Sequence, residues 1–394
     1  MTANDNQRTA PASSMPVPGQ QDQPSLPARL ASSATITFIT AVCRTYLYGL
    51  NTVEVTGLDR FLDILDERED PATRRRGLIT VSNHVSILDD PIMWGVLPLK
   101  YVMNPGNSRW GLGAHDICFK NRPLEWFFAA GQVLPTHRVH HSQNGGLFQP
   151  TMAQAIRLLS SQPFKTHPAT PTLESSSPAA SRIPDPFTDG GLTFTSNGHD
   201  RFDAPSRYTR NRHSWVHVFP EAMIHQQPQM YMRYFKWGVS RLILESEPMP
   251  DLLPVFIDGT QRVMAEDRTF PRFLPRAGVT FRMAFGELVD MEDRFGDLRS
   301  AWQDLVRKHT AGADGNAKVL VMGELTDELK YGAEAVALRI EVTRRVREEV
   351  AKLRKDMGYP DEKPGLELAE TWAQETIKEN VKSGVDDSLE GKRR

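Results

Sequence analysis

The chain has 394 residues, 39% hydrophobic and 24% charged, enough for one large core with appended segments. A net charge of -2 supplies no global basic field, which argues against nucleic acid as a partner. Two cysteines, Cys43 and Cys118, exclude a disulfide framework and a cysteine-rich zinc site.

Residues 1–28 are rich in Pro, Gln and Ser and carry Asp5 and Asp22. They lack the Arg-rich, acid-free character of a cleaved mitochondrial presequence and are expected to be disordered. A helix is expected from Ala31 to Leu50, with Ile36, Phe38, Ile39, Val42, Tyr46 and Leu47 on an apolar side. No run reaches the roughly 18–20 apolar residues of a spanning helix. The nearest, Leu30 to Cys43, lies between Arg29 and Arg44 and reads as an interfacial segment or a surface helix packed on the domain. A short strand from Asn51 to Val55 and a helix from Leu58 to Leu65 follow, with Phe61, Leu62 and Leu65 inward. The loop from Glu67 to Arg76 ends in Arg74-Arg75-Arg76, which either touches acidic headgroups or is only solvated.

Leu78-Ile79-Thr80-Val81 has the profile of a buried strand, and Ser82-Asn83-His84 breaks it. Asp89-Asp90-Pro91 then starts a helix reaching Leu97, with an acid in front as N-cap and Pro91 in the first turn. Two readings of Asp89 stand side by side. It can hold the Nδ1–H of His84, the group here that both takes and gives a proton near neutral pH. Equally, Ser86-x-x-Asp89 fits a capping box that needs no catalysis.

Trp110, Trp126, Phe127 and Phe128, with Lys120 and Arg122 among them, suit a membrane–water interface or an ordinary core edge. Met152, Ile156 and Leu159 share one side of a further helix. From Ser160 to Arg212 the chain is crowded with Ser, Thr, Pro and Gly, which marks a low-complexity insertion expected to be disordered. Nothing catalytic is assigned there despite His167 and His199. Ser214 to Glu221 reads as a strand running into a turn. Between residues 207 and 241, Arg207, Arg210, Arg212, Arg233, Lys236 and Arg241 face only Glu221, which suggests an anionic partner or the flanks of a packed helix. Leu252 to Ile257 is a buried strand and Val279 to Phe285 a half-buried one. Beyond them a helix carries Val336, Ile340, Val346, Val350 and Leu353 at three-to-four spacing, with pairs Glu341–Arg345 and Glu348–Lys352. After Pro360 a loose charged tail is expected.

Four blocks carry a resemblance. Asn83-His84-x-x-x-x-Asp89-Asp90-Pro91 is similar to the first motif of the glycerolipid acyltransferase family. Asp116-Ile117-Cys118-Phe119 with Gly131 to Arg138 is similar to its second. Phe219-Pro220-Glu221 is similar to its third, and Leu252 to Ile257 to its fourth. The doubled acid with proline, and Phe235-Lys236-Trp237-Gly238, resemble the mitochondrial phospholipid–lysophospholipid transacylases of that family. The resemblance covers roughly residues 50–160 and 213–290. It implies an α/β fold, a mostly parallel or mixed sheet wrapped by helices, split as 29–159 and 213–358 around the 160–212 insertion, with 1–28 and 359–394 appended.

For function, the resemblance implies His84 and Asp89 as the catalytic pair, with Asn83, Ser86, Arg138, Phe219, Pro220, Glu221, Arg233 and Lys236 binding substrate. Arg138 suits a phosphate because a guanidinium fork meets two oxygens. The implied substrates are phospholipids and lysophospholipids (cardiolipin, monolysocardiolipin, phosphatidylcholine). The implied place is peripheral, on mitochondrial inner and outer membranes facing the intermembrane space. Exchange of ester for ester needs no cofactor, and no second histidine stands near Asp89 in sequence to make a metal site there. The runner-up is an acyl-CoA-dependent lysophospholipid or glycerol-phosphate acyltransferase, and the third reading an inactive membrane-surface scaffold. The scaffold is motivated by two departures: Ala222 replaces the third motif's glycine, and Met223 and Ile224 stand where relatives carry a base. Ala222 would be strained if that backbone needs positive φ. His225, Arg233 and Lys236 are the nearest replacement cations.

Overall fold

A computed structural model describes residues 24–139, 141–161, 188–189, 193–205, 212–265, 268, 270–271, 273–310 and 325–373. The first helix, α1 (Leu26–Leu50), starts inside the segment expected to be disordered, because Ser25 caps Ala28 N–H and Pro27 suits the first turn. Residues 1–23 lie outside the described residues. One side of α1 is tied down. Ser32 Oγ donates to the Ala130 carbonyl at 2.8 Å, and Arg44 Nη1 donates to the carbonyls of Gly95, Val96 and Leu97 at 3.0–3.3 Å. The opposite side shows Phe38 and Val42 to solvent, and Leu26 and Leu30 are exposed in its first turns. The helix is thus apolar on both sides, and it is long and apolar enough to cross a membrane by length and composition.

Next come β1 (Thr52–Thr56), α2 (Leu58–Glu67), β2 (Leu78–Ser82) and α3 (Asp89–Met93), which tightens into a 3-10 turn at Trp94–Val96. Then follow β3 (Gly111–Ala114), α4 (His115–Cys118), α5 (Arg122–Ala130), β4 (Val133–Thr136) and α6 (Pro150–Leu159). Within the inserted stretch, β5 (Thr188–Asp189), β6 (Thr193–Phe194) and β7 (Phe202–Asp203) form an antiparallel sheet, so part of it is ordered against expectation. His167 and residues 206–211, with Arg207 and Arg210, lie outside the described residues. The chain continues through β8 (Trp215–Val218), α7 (Gly238–Glu245), β9 (Asp251–Asp258), α8 (Thr260–Val263) and β10 (Thr280–Phe285). It closes with α9 (Met291–Thr310), α10 (Asp327–Tyr331), α11 (Ala333–Asp356) and α12 (Ala369–Ala373).

The main sheet has the order β1-β10-β9-β2-β8 and is parallel except between β9 and β10. Side chains alternate across it, so both faces are covered. Ile79, Val81, Leu252 and Phe256 pack with α6, α7, α9 and α11. Leu78, Leu253, Val255 and Ile257 pack with α1, α2 and α3. This is the mixed α/β sheet wrapped by helices that the motifs imply. The short parallel pair β3–β4 attaches at the β8 edge, where Trp110 N–H donates to the Trp215 carbonyl at 2.8 Å.

Three local expectations change. On α11 the inward row is Ala335, Arg339, Val342, Val346 and Val350, while Ile340 is exposed. A buried arginine displaces the expected register because Arg339 satisfies its guanidinium on the Leu329 and Lys330 carbonyls and lies over the Trp302 ring. Glu341 does pair with Arg345, but Lys352 pairs with Glu349 rather than Glu348. The tail is docked as far as Trp372, which is buried and packs on His225 beneath Arg233. Glu362 fastens the same segment to Arg347 at 2.7 Å. Residues 374–394 lie outside the described residues.

Candidate active site

Strands β2, β8 and β9 run parallel, so the residues that follow each are gathered at one end of the sheet. There His84 leaves β2, Phe219-Pro220-Glu221 leaves β8, and Thr260 leaves β9. Asn83 makes the exit sharp. Its side-chain amide donates to the Ile257 carbonyl at 2.9 Å and accepts Ile257 N–H at 2.8 Å, completing the β9 ladder in place of a backbone.

His84 Nδ1 lies 2.9 Å from Asp89 Oδ2. The same oxygen accepts Val85 N–H at 2.6 Å and Ser86 N–H at 2.8 Å, and Thr260 Oγ1 donates to Oδ1. Asp89 therefore does both jobs foreseen for it: it braces the loop before α3 and holds the imidazole. It does so from the first position of α3, with Leu88 rather than an acid as N-cap. Four hydrogen-bonding groups thus converge on this fully buried carboxylate. Asp90 turns away, to Arg109 and to Trp94 Nε1 at 3.1 Å.

The imidazole is fixed from its other faces too. Phe219 stacks on it at 4.4 Å, and Glu221 Oε1 accepts the His84 backbone N–H at 2.8 Å. Among the described residues Nε2 makes no hydrogen bond, and 21% of the side chain is exposed. Burial pushes the Glu221 carboxyl up to about 7, against the pull of the His84 and Arg233 N–H groups. Beneath lies His217, whose Nδ1 meets Thr80 Oγ1 at 2.8 Å. Full burial, with Arg109 nearby, holds it well below the usual imidazole range, so it packs as a neutral ring. Ala222 adopts φ +56°, in the left-handed region that favours glycine.

The acyltransferase family model matches residues 53–175. Tafazzin of Saccharomyces cerevisiae is 33% identical over 351 residues, spanning 86% of this chain and 82% of that protein. The chain belongs to the tafazzin family. Tafazzin of Dictyostelium discoideum is 27% identical over 260 residues, 65% of this chain and 68% of that protein. An Arabidopsis thaliana N-acylphosphatidylethanolamine synthase is 28% identical over 217 residues, 55% of this chain and 56% of that protein. The chain is accordingly an acyltransferase of phospholipid metabolism.

In this tafazzin-family chain the residues expected to be catalytic or to bind substrate divide into two groups. His84, Asp89, Phe219 and Glu221 meet as expected. Asn83 and Ser86 are buried and occupied by backbone, the first on β9 and the second on Leu88 N–H at 3.3 Å, so they shape the loop rather than face a ligand. Pro220 is also buried, and its carbonyl accepts Lys236 N–H at 2.7 Å. Arg138 forms a bidentate pair with Asp116, so a substrate phosphate must share or displace that carboxylate. Arg233 reaches the site through its backbone, donating N–H to Glu221 Oε2 at 2.8 Å, while its guanidinium covers Trp372. Lys236 is exposed beside Tyr234, with Nζ donating to the hydroxyl at 2.9 Å.

Other cations turn out to be structural. Arg241 is buried in an ion pair with Glu245, and Arg74 is bound to the Arg68 carbonyl and Asn107. His225 is no replacement cation, since burial and then Arg233 push it down to about 4. Of the aromatic group, Trp126 is exposed on α5, while Trp110 joins the core edge. Thr260 gave no sequence signal, being a lone threonine 171 residues from its partner.

Proposed function

We propose that this protein transfers an acyl chain directly from a phospholipid to a lysophospholipid, remodelling cardiolipin without coenzyme A. The observation that carries the reading is the His84 Nδ1–Asp89 contact at 2.9 Å in a ring that is 21% exposed, with Nε2 making no hydrogen bond among the described residues. His84 Nε2 takes the proton from the free hydroxyl of a lysophospholipid such as monolysocardiolipin. The resulting alkoxide attacks an ester carbonyl of the donor, for example phosphatidylcholine. The tetrahedral intermediate then expels the donor's lysolipid oxygen, which takes the proton back from the imidazolium. Asp89 keeps the tautomer and offsets the transient positive charge, help of about 10²–10⁴-fold.

The outward apolar stripe of α1, with Trp126 on the α5 helix packed beside it, supports a lipid surface as the working place. Because α1 is tied to the domain along its other side, the protein lies at the interface rather than threading it. The membranes we assign are mitochondrial, on the likeness of its motifs to the transacylases.

The test is acyl exchange in vesicles of monolysocardiolipin and phosphatidylcholine with no coenzyme A, using wild type beside His84→Ala and Asp89→Asn. Exchange by wild type and its loss in both variants, with vesicle binding retained, is expected. Exchange that appears only after acyl-CoA is added would overturn the direct transfer. Undiminished exchange by His84→Ala would overturn the catalytic pair.

A further inference from the structure

A second cluster of chemistry-bearing side chains lies apart from His84 in the chain. Strands β3 and β4 pair in parallel with Ala114 opposite Thr136, so the next residues, His115 and His137, emerge side by side. Their rings stack at 4.3 Å with planes 29° apart. The third member, Asp200, comes from the turn between β6 and β7 in the inserted stretch.

We propose that His115, His137 and Asp200 bind a divalent transition-metal ion of the zinc class, which fastens the inserted hairpin to the acyltransferase core. One donor atom from each residue lies within 4.8 Å of the others. His115 Nε2 and Asp200 Oδ2 are 3.7 Å apart. Bonds of about 2.0–2.1 Å at tetrahedral angles separate neighbouring donors by roughly 3.3–3.4 Å, so small side-chain shifts complete the site. Two imidazoles and one carboxylate form a nitrogen-rich set that suits zinc or cobalt better than calcium or magnesium.

The surroundings fit an ion. His137 is buried and the other two are half-buried, which leaves an approach from one side. Ser196 Oγ sits 2.8 Å from His137 Nε2 and 2.7 Å from Asp200 Oδ2, within reach as a fourth oxygen or as a bridge to a bound water. Ser196 N–H and Thr195 Oγ1 orient the Asp200 carboxylate from behind at 2.9 and 3.1 Å. His115 and His137 immediately precede Asp116 and Arg138, so an ion here would also steady the ends of both strands that carry that pair. This departs from the sequence expectation of no metal, which rested on the lack of a second histidine near Asp89 in sequence.

The full chain, stripped of metal, is titrated with zinc chloride by calorimetry and with cobalt chloride by visible absorption. One equivalent bound, with cobalt bands of tetrahedral intensity, is expected. His115→Ala and Asp200→Asn should each weaken zinc binding about tenfold or more and abolish the bands. His199→Ala, exposed on the same turn, should leave both unchanged. Asp200→Asn alters a single atom, and unchanged circular dichroism certifies its fold. Absence of a stoichiometric site in the wild type, full affinity in both ligand variants, or loss of the site in His199→Ala would each overturn the proposal. The first of these outcomes would leave the cluster as a hydrogen-bonded dock.

Discussion

One carboxylate oxygen of Glu221 accepts the backbone N–H of His84 at 2.8 Å, while the other accepts Arg233 N–H at the same distance. The acid thus clamps the first motif to the loop beyond the third. A buried glutamate held by two backbone donors works by position rather than by charge on a substrate.

Glu221→Gln should therefore damage catalysis through geometry. The glutamine amide places a donor against one of the two backbone donors, leaving a buried N–H unsatisfied at a cost of about 1–3 kcal/mol. Acyl exchange should fall about tenfold or more while the variant stays folded. A wild-type rate would show that the His84 position does not depend on the clamp. The assay is lipid exchange beside a thermal melt.

The same group predicts a pH dependence of stability. The folded carboxyl is raised to about 7 from an ordinary 4.5, so between those values the folded protein holds a proton that the unfolded chain releases. Its favourable contribution is complete below 4.5 and is lost as pH rises through 7, a change on the order of 3 kcal/mol. His225 acts in the opposite sense. Depressed from 6.5 to about 4, it contributes fully above 6.5, and the contribution is lost as pH falls through about 4. Denaturant melts across this range should show the falling limb toward neutral pH shrink in Glu221→Gln and the acid limb shrink in His225→Phe.

Ala222 holds φ +56° with its N–H donating to the Phe219 carbonyl at 3.0 Å. An L side chain in that region costs about 1 kcal/mol relative to glycine. Ala222→Gly should stabilise the protein by about that amount, with exchange unchanged to within about twofold. Destabilisation in urea melts would mean that the turn tolerates alanine without strain.

Phe38 and Val42 are 66% and 50% exposed on the outward side of α1. Replacing both by serine removes apolar surface from the assigned lipid face and none from the core. At about 25 cal/mol per Å² the loss should weaken vesicle partitioning about tenfold or more with the melting temperature unchanged. Equal binding in a flotation assay would place the membrane contact elsewhere.

What sequence alone decided was local. The apolar run at Leu78, the break at Ser82-Asn83-His84 and the acid five residues on specify a strand, a corner and a paired imidazole, because all lie within one short loop. The unbroken apolar run of β9 likewise marks a strand covered on both faces. Tertiary structure decided everything that joins distant segments: the Thr260 hydroxyl on Asp89, the Glu221 clamp 137 residues from His84, the pairing of Arg138 with Asp116, and the docking of Trp372 on His225. A cation in a sequence shows its charge but not its partner. Arg241 read as part of an anion-binding patch or as the flank of a packed helix until packing supplied the Glu245 carboxylate, and Arg339 gave no signal of the Leu329 and Lys330 carbonyls it meets. The His115–His137 stack was hidden for the same reason, since only the register of β3 against β4 brings residues so far apart into contact.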